Sequence, residues 1–338
     1  MTTKTIKSIS LALVLVALCG CSSKDSTSTS NSTSSGTTDK SGATAKHLKL
    51  AFVTNNASDY WTIARKGVEA AQKEMPNVDV AFRMPADGSP AAQQQIVDDE
   101  LAKGVDGMAI SPTDPKNQTD MINKAAGQVF VITQDSDAPN TNRACYVGSD
   151  NEAAGKQLGE ELKKALPNGG NVMAFVGESD AQNAHDRIQG VKDAIAGTKI
   201  VIEDVRLDHA DHTKAKSNVA DVLVKEPNIA GLIGIWSYNG PAIYSAVQDA
   251  GKVGKVQILC FDEEDDTLAG VKAGAIYATV VQQPYVFGHD SVKMMNAYLN
   301  GDKSAVPANK LDYIPTLVLH KADIDAYKDK LNKLRGKS

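Results

Sequence analysis

The chain has 338 residues, of which 42% are apolar and 23% charged, with a formal net charge of -5 and an isoelectric point near 5.7. That length exceeds one typical domain and suggests about two. The composition is that of a globular protein, and the acidic balance excludes a general nucleic-acid binder, which carries a basic stripe.

The first twenty residues read as a targeting segment. Lys4 and Lys7 form a positive start, Ile9 to Leu18 an apolar run too short to span a bilayer, and Leu18-Cys19-Gly20-Cys21 a small-residue cleavage site. This segment resembles a bacterial lipoprotein signal, which implies export and makes Cys21 the lipidated first residue of the mature chain. Ser22, rather than an acid, follows Cys21, and the resemblance then favours the outer over the inner membrane. The only membrane attachment expected is this anchor. Residues 21–46 are mostly Ser, Thr, Asn and Gly, too poor in apolar side chains to fold, and read as a disordered tether.

Folded sequence begins with the apolar run Leu48 to Val53, a buried strand, followed by the polar loop Thr54 to Asp59. Tyr60 and Trp61 come next, and Ile63, Val68 and Ala71 then mark the buried stripe of a helix. Two readings of the paired rings stand at this point: stacking on a sugar face, or capping the core under the first helix. Further β-branched runs follow, from Val78 to Phe82, Val105 to Ile110, Val129 to Ile132, Cys145 to Val147, Val172 to Val176 and onward to Leu317 to Leu319. Helical patterns separate most of them, around Ala91 to Leu101, Lys116 to Ala126, Glu152 to Ala165, Asp186 to Ile195, Thr213 to Lys225, Pro241 to Ala250 and Phe287 to Leu299. Such alternation predicts an α/β fold with parallel sheets covered on both faces. The series restarts near Gly148-Ser149-Asp150, as if a second lobe begins there. Ser111 to Pro115 and Ser149 to Glu152 supply oxygen acceptors just ahead of helical patterns. The tail, Asp323 to Arg335, is a charged amphipathic helix that reads as a docking cover. Cys145 and Cys260 sit in apolar runs and read as two separate buried thiols.

Small molecules bind open α/β sheets at the carboxyl ends of the strands. Here those ends carry Thr54 to Trp61, Ser111 to Asp114, Gln134 to Asp137, Gly177 to Arg187, Trp236 to Asn239, Asp262 to Asp266 and Gln282-Gln283. Amides, carboxylates, a guanidinium and rings are the mixture that a polyhydroxylated ligand requires. Motifs for nucleotide or protease chemistry are absent: there is no GxGxxG after a strand, no Walker loop, no HExxH and no GxSxG. His209 and His212 flank Asp211 but lack further metal-ligand spacing, and read as a solvated loop. The acidic run Glu263 to Asp266 lacks the spacing of a calcium loop and reads as helix N-terminal charge. Neither a metal nor a cofactor is expected.

From Leu48 to Leu319 the chain resembles the periplasmic sugar-binding proteins of ABC transporters, ribose-binding type. The resemblance rests on SDYWTIARKG (58–67), SPTD (111–114), VITQD (131–135), VGSDNEAAG (147–155), DRIQG (186–190), AVQDAGK (246–252), LCFDEEDDTLAGVKAG (259–274) and TVVQQPYVFG (279–288), in that order and spacing. It implies two similar Rossmann-like lobes joined by three crossovers, with the ligand between them. The first would comprise 47–149 plus about 283–312, the second 150–282 plus about 313–338. It implies that Tyr60 and Trp61 stack on a sugar, Asp135 and Asp262 accept from its hydroxyls, Arg187 donates to it, and Gln282 bridges near a hinge. Ribose binders typically have asparagine where Ser58, Ser111 and Trp236 stand here, and arginine at Ser136, so these positions would reshape the pocket, and Asn239 could either supply a replacement amide or cap the helix that follows. The implied function is binding of a monosaccharide or similar polyol by a monomer that closes around it and docks on a membrane permease. Rival readings are a sensory protein presenting ligand to a receptor kinase, and a glycoside hydrolase using Asp135 and Asp262 as an acid/base pair.

Overall fold

A computed structural model describes residues 46–336. The signal segment, Cys21 and nearly all of the tether lie outside the described residues. The elements follow in chain order as β1 (Leu48–Val53), α1 (Tyr60–Glu74), β2 (Val78–Arg83), α2 (Pro90–Ala102), β3 (Gly107–Ile110), α3 (Thr119–Ala126), β4 (Phe130–Gln134) and β5 (Tyr146–Gly148). They continue as α4 (Asn151–Ala165), β6 (Gly170–Val176), α5 (Gln182–Ile195), β7 (Ile200–Leu207), α6 (His212–Lys225), β8 (Gly231–Gly234), α7 (Asn239–Asp249), β9 (Gln257–Phe261) and α8 (Asp265–Ala273). The last are β10 (Ala278–Val281), α9 (Pro284–Leu299), β11 (Leu311–Tyr313), β12 (Leu317–Leu319) and α10 (Ile324–Arg335).

Among the described residues the strands form two six-stranded sheets, ordered β2-β1-β3-β4-β5-β11 and β7-β6-β8-β9-β10-β12. All pairings are parallel except that of β10 with β12. The central strands are buried along their whole length, which is why they read as continuous apolar runs. The two sheets are the two lobes, and the first five strands of each follow the same order. The chain passes between them three times: from β5 into α4, from β10 into α9, and from β11 to β12.

One crossover helix in each lobe packs against that lobe's first helix through glycine. A Cβ on Gly67 of α1 would lie 1.9 Å from the Tyr285 carbonyl oxygen of α9, and one on Gly155 of α4 would lie 2.2 Å from the Arg187 carbonyl oxygen of α5. Only glycine permits so close an approach. These contacts set the depth of α1 and α5, whose first turns face the cleft between the lobes.

Several elements differ from the sequence reading in extent. Val105 and Asp106 precede β3 in a turn, where Asp106 N–H donates to the Lys49 carbonyl (2.7 Å). The Asp114 side chain accepts from Asn117 N–H and organises a turn, so α3 starts only at Thr119. Asp150, by contrast, does cap α4, accepting from Ala153 N–H. Strand β11 was not legible, because LDY is a short half-exposed edge segment without alternation. α10 buries Ile324 and Leu331 in the second lobe's core and reaches α1. Cys145 and Cys260 are separate, buried free thiols, and burial raises the pKa of both.

Candidate functional site

The strand ends of both lobes converge on one cavity.

The first lobe contributes the loop after β1. Thr54 Oγ1 donates to the Asn56 carbonyl (2.7 Å), Asn56 Nδ2 donates to Asn55 Oδ1 (2.8 Å), and Ser58 N–H donates to Asn56 Oδ1 (2.8 Å). This brace presents Asn55, Asn56 and Ser58 to the cavity and starts α1 with both rings turned to the cleft. Trp61, 1% exposed, meets Phe52 edge-on at 6.3 Å and Tyr60 at 5.0 Å. The rings close the core under α1 and also line the cavity.

Asp135 follows β4 and Asp262 follows β9, corresponding positions in the two sheets. Both adopt left-handed backbone conformations, with φ of 61° and 70°. Aspartate tolerates that region better than most residues, and such strain collects at functional sites. Asp135 accepts from Tyr60 Oη (3.0 Å), Ser111 Oγ (3.0 Å) and Asn183 Nδ2 (3.2 Å). Burial raises its pKa, against the pull of Arg187 and these donors. Asp262 accepts from Gln282 Nε2 (3.0 Å), and burial pushes it up to about 6 although Arg187 stands opposite. It is not a helix cap, since α8 begins after Glu264.

Arg187 is 1% exposed and no surface ion pair. Its Nε donates to Asn151 Oδ1 (2.9 Å), its Nη1 donates to the Ile235 carbonyl (2.9 Å) and stands 3.8 Å from Asp262 Oδ2, and its guanidinium lies 4.4 Å over the Phe261 ring. Its Nη2 is buried without a hydrogen-bond partner, as are Trp61 Nε1 and Gln282 Oε1 on the same cavity wall. These three atoms come from the first lobe, the second lobe and a crossover. Buried polar groups are normally paired, so a ligand rich in hydroxyls complements this wall.

Trp236 sits at the cavity and donates from Nε1 to Asn183 Oδ1 (3.2 Å). A chain of bonds thus runs from Trp236 through Asn183 to Asp135 and Tyr60, crossing from the second lobe to the first. Asn151 Nδ2 also donates to the Asp135 carbonyl (3.3 Å). The lobes are closed on each other.

Of the residues expected at the site, Tyr60, Trp61, Asp135, Arg187, Asp262, Gln282, Trp236 and Ser58 line the cavity. Ser111 does not; it stands behind Asp135 and orients it. Asn239 needs correction as a replacement amide. Its Oδ1 accepts from Trp236 N–H (3.0 Å) and its Nδ2 donates to Asp208 (2.9 Å), so both ends are spent inside the loop. Asn183 and Tyr238 were missed. Asn183 lies one helical turn before Arg187 on the same face, a spacing that could have revealed it. Tyr238 is held by the buried Asp208, which accepts from its Oη (2.5 Å), and no local pattern marks that long-range pair. His209 pairs with Glu178 and His212 stacks on Tyr238 at 4.5 Å; among the described residues no group of three or more His, Cys, Asp or Glu side chains could hold a metal.

Comparison with known proteins follows the same lines. The profile of the periplasmic binding protein domain matches residues 50–303. The ribose import binding protein of Salmonella typhimurium is 26% identical over 270 residues, covering 79% of this chain and 89% of that protein. An ABC transporter solute-binding protein from Burkholderia graminis, solved with D-arabinose, is 29% identical with a TM-score of 0.78, covering 84% of this chain and 99% of the other. A structure described as the XylFII-LytSN complex is 27% identical with a TM-score of 0.75, covering 82% and 98%.

Proposed function

The chain belongs to the periplasmic binding protein family, ribose-binding type, and from that premise we propose that it captures a monosaccharide or similar polyol by hinge closure and delivers it to an ABC transporter permease. It is a binding protein, not an enzyme, and it works outside the cytoplasm. The observation that carries the sugar reading is the trio of buried, unpartnered polar atoms, Trp61 Nε1, Arg187 Nη2 and Gln282 Oε1, around one cavity walled by both lobes.

In this reading the rings of Tyr60 and Trp61 cover the apolar face of the sugar. Asp135 and Asp262 accept from its hydroxyls, and Arg187 donates to its oxygens. Charge-assisted bonds of this kind are about twice as strong as neutral ones. Contacts from both lobes exist together only when the lobes meet, so the ligand shifts the population toward the closed arrangement. Trp236 and Ser58, in place of amides, would set the choice of sugar, since a site built for one hydroxyl rejects an analogue lacking it.

A thermal-shift screen against pentoses, hexoses, inositols and alditols tests the reading. A ligand at 100 times its Kd adds about 2.7 kcal/mol of stability, a readily measured rise in Tm. No shift with any member of the panel, or conversion of the sugar to product, rejects it.

A second reading is that the ligand-bound protein engages a receptor kinase rather than a permease. The structural neighbour described as the XylFII-LytSN complex, which pairs a protein of this fold with another protein, leaves that route open. Ligand-dependent capture from solubilised membranes separates the two by the partner recovered. The lipoprotein reading of Cys21 predicts metabolic labelling by palmitate that Cys21→Ser abolishes, with release of a monomer from the membrane fraction.

A further inference from the structure

A second cavity of about 270 Å³ lies behind the hinge, between α10, the start of α9 and α1. Its walls are mostly apolar: Ile63, Leu317, Leu331 and Leu334, with the rings of Tyr285 and Tyr327. The polar residues on the wall are the amides of Gln282 and Gln283, the exposed Lys330 and the buried Glu263. Glu263 is 2% exposed, and neither of its carboxyl oxygens has a hydrogen-bond partner. Burial and the adjacent Asp262 hold its pKa well above the ordinary carboxyl range. Arg335, the cation that acts on Glu263, is already bonded to Asp265 at 2.8 Å.

We propose that this cavity is a second binding site, for a small amphiphilic cation whose apolar body fills the space between α1, α9 and α10 and whose primary ammonium pairs with Glu263. A primary ammonium carries three donors, enough for both orphaned oxygens, and brings the positive charge that keeps a buried carboxylate ionised. Tyr285 and Tyr327 add ring faces, which attract cations. An alcohol offers one donor and no charge, and an anion meets the buried Glu263 carboxyl. The occupant would bridge the lobes, because Ile63 and Tyr285 belong to the first, and Glu263, Tyr327 and Leu331 to the second. None of this depends on which molecule fills the interlobe cavity.

Isothermal titration of the full chain with phenethylammonium chloride, 2-phenylethanol and phenylacetate tests the site. The ammonium is expected to bind saturably and about tenfold more tightly than the alcohol, with no measurable binding of the acid. Glu263→Gln keeps the fold, since it removes an unpaired buried acid, and should weaken phenethylammonium about tenfold. Leu334→Trp fills the cavity and should abolish binding while the melting transition stays cooperative. Absence of saturable binding, equal affinity for the alcohol, or unchanged binding to either variant overturns the assignment.

Discussion

Replacing Gly177 with alanine drives a methyl group into the wall of the interlobe cavity. The added Cβ would lie 2.1 Å from Trp236 Cζ3, 2.5 Å from its Cε3 and 2.6 Å from Tyr238 Oη. Ordinary carbon contact begins near 3.5 Å, so the indole must retreat by roughly 1.4 Å or the backbone must shift. Overpacking of this kind costs about 1–3 kcal/mol. Retreat also stretches the 3.2 Å bond from Trp236 Nε1 to Asn183 Oδ1, and Asn183 is the residue that joins the second lobe to Asp135. Losing one neutral hydrogen bond removes about 1 kcal/mol. Clash and bond both lie within the second lobe, so stability should fall by about 2–4 kcal/mol, and the displaced indole and Asn183 should weaken sugar affinity about tenfold. Titration calorimetry gives the affinity. Fluorescence gives the geometry, because Trp61 and Trp236 are the only tryptophans in the chain and both line the cavity. In a Trp236→Leu background the alanine should cost little, since the ring it strikes is gone. Unchanged affinity in Gly177→Ala, or the same loss in the leucine background, would refute the reasoning.

Arg187→Met leaves Asp135 and Asp262 without their shared cation and should weaken sugar binding by about 100-fold or more by calorimetry. Asp262 titrates near 6 in the folded chain against about 3.9 unfolded, so the folded state holds its proton more tightly. Its contribution is complete below about pH 4 and is lost as pH rises through about 6, on the order of 3 kcal/mol. Because that burial exists only in the closed arrangement, closure takes up a proton. The sugar affinity of wild type relative to Asp262→Asn should therefore fall by calorimetry as pH rises from about 4 to about 6, and parallel curves would contradict the raised pKa. Gly155→Ala pushes a methyl to 2.2 Å from the Arg187 carbonyl and should lower stability by about 1–3 kcal/mol in urea while also weakening binding, because α5 carries Arg187 and Asn183. Loss of stability alone, with intact affinity, would show that α5 can move without disturbing the site.

Most of the site was legible because strand ends in an α/β sheet converge by topology. Once Leu48 to Val53 and its successors read as buried parallel strands, the polar residues after them were candidates without any knowledge of contacts. Strand ends narrow the candidates to short segments, and the resemblance to ribose-binding proteins singles out Asp135, Asp262, Arg187, Gln282 and the paired rings within them. Asn183 and Tyr238 are not singled out, and Asn239 is not the replacement amide. Their roles depend on partners 30 to 53 positions away, Asp208 for Tyr238 and Asn239, and Trp236 for Asn183. Such pairings leave no periodic trace in the chain.

The sequence by itself determined the alternation of strands and helices, the point at which the pattern restarts, and the chemical inventory at the strand ends. Periodicity and burial are local consequences of backbone geometry, so they survive in one dimension. Tertiary structure alone decided which amides face the ligand and which hold the loop, that Asp262 titrates near 6, and that Glu263 ends up unpaired in an apolar chamber. Those outcomes follow from desolvation and distance, and both arise only when two lobes built from separate stretches of chain close on each other.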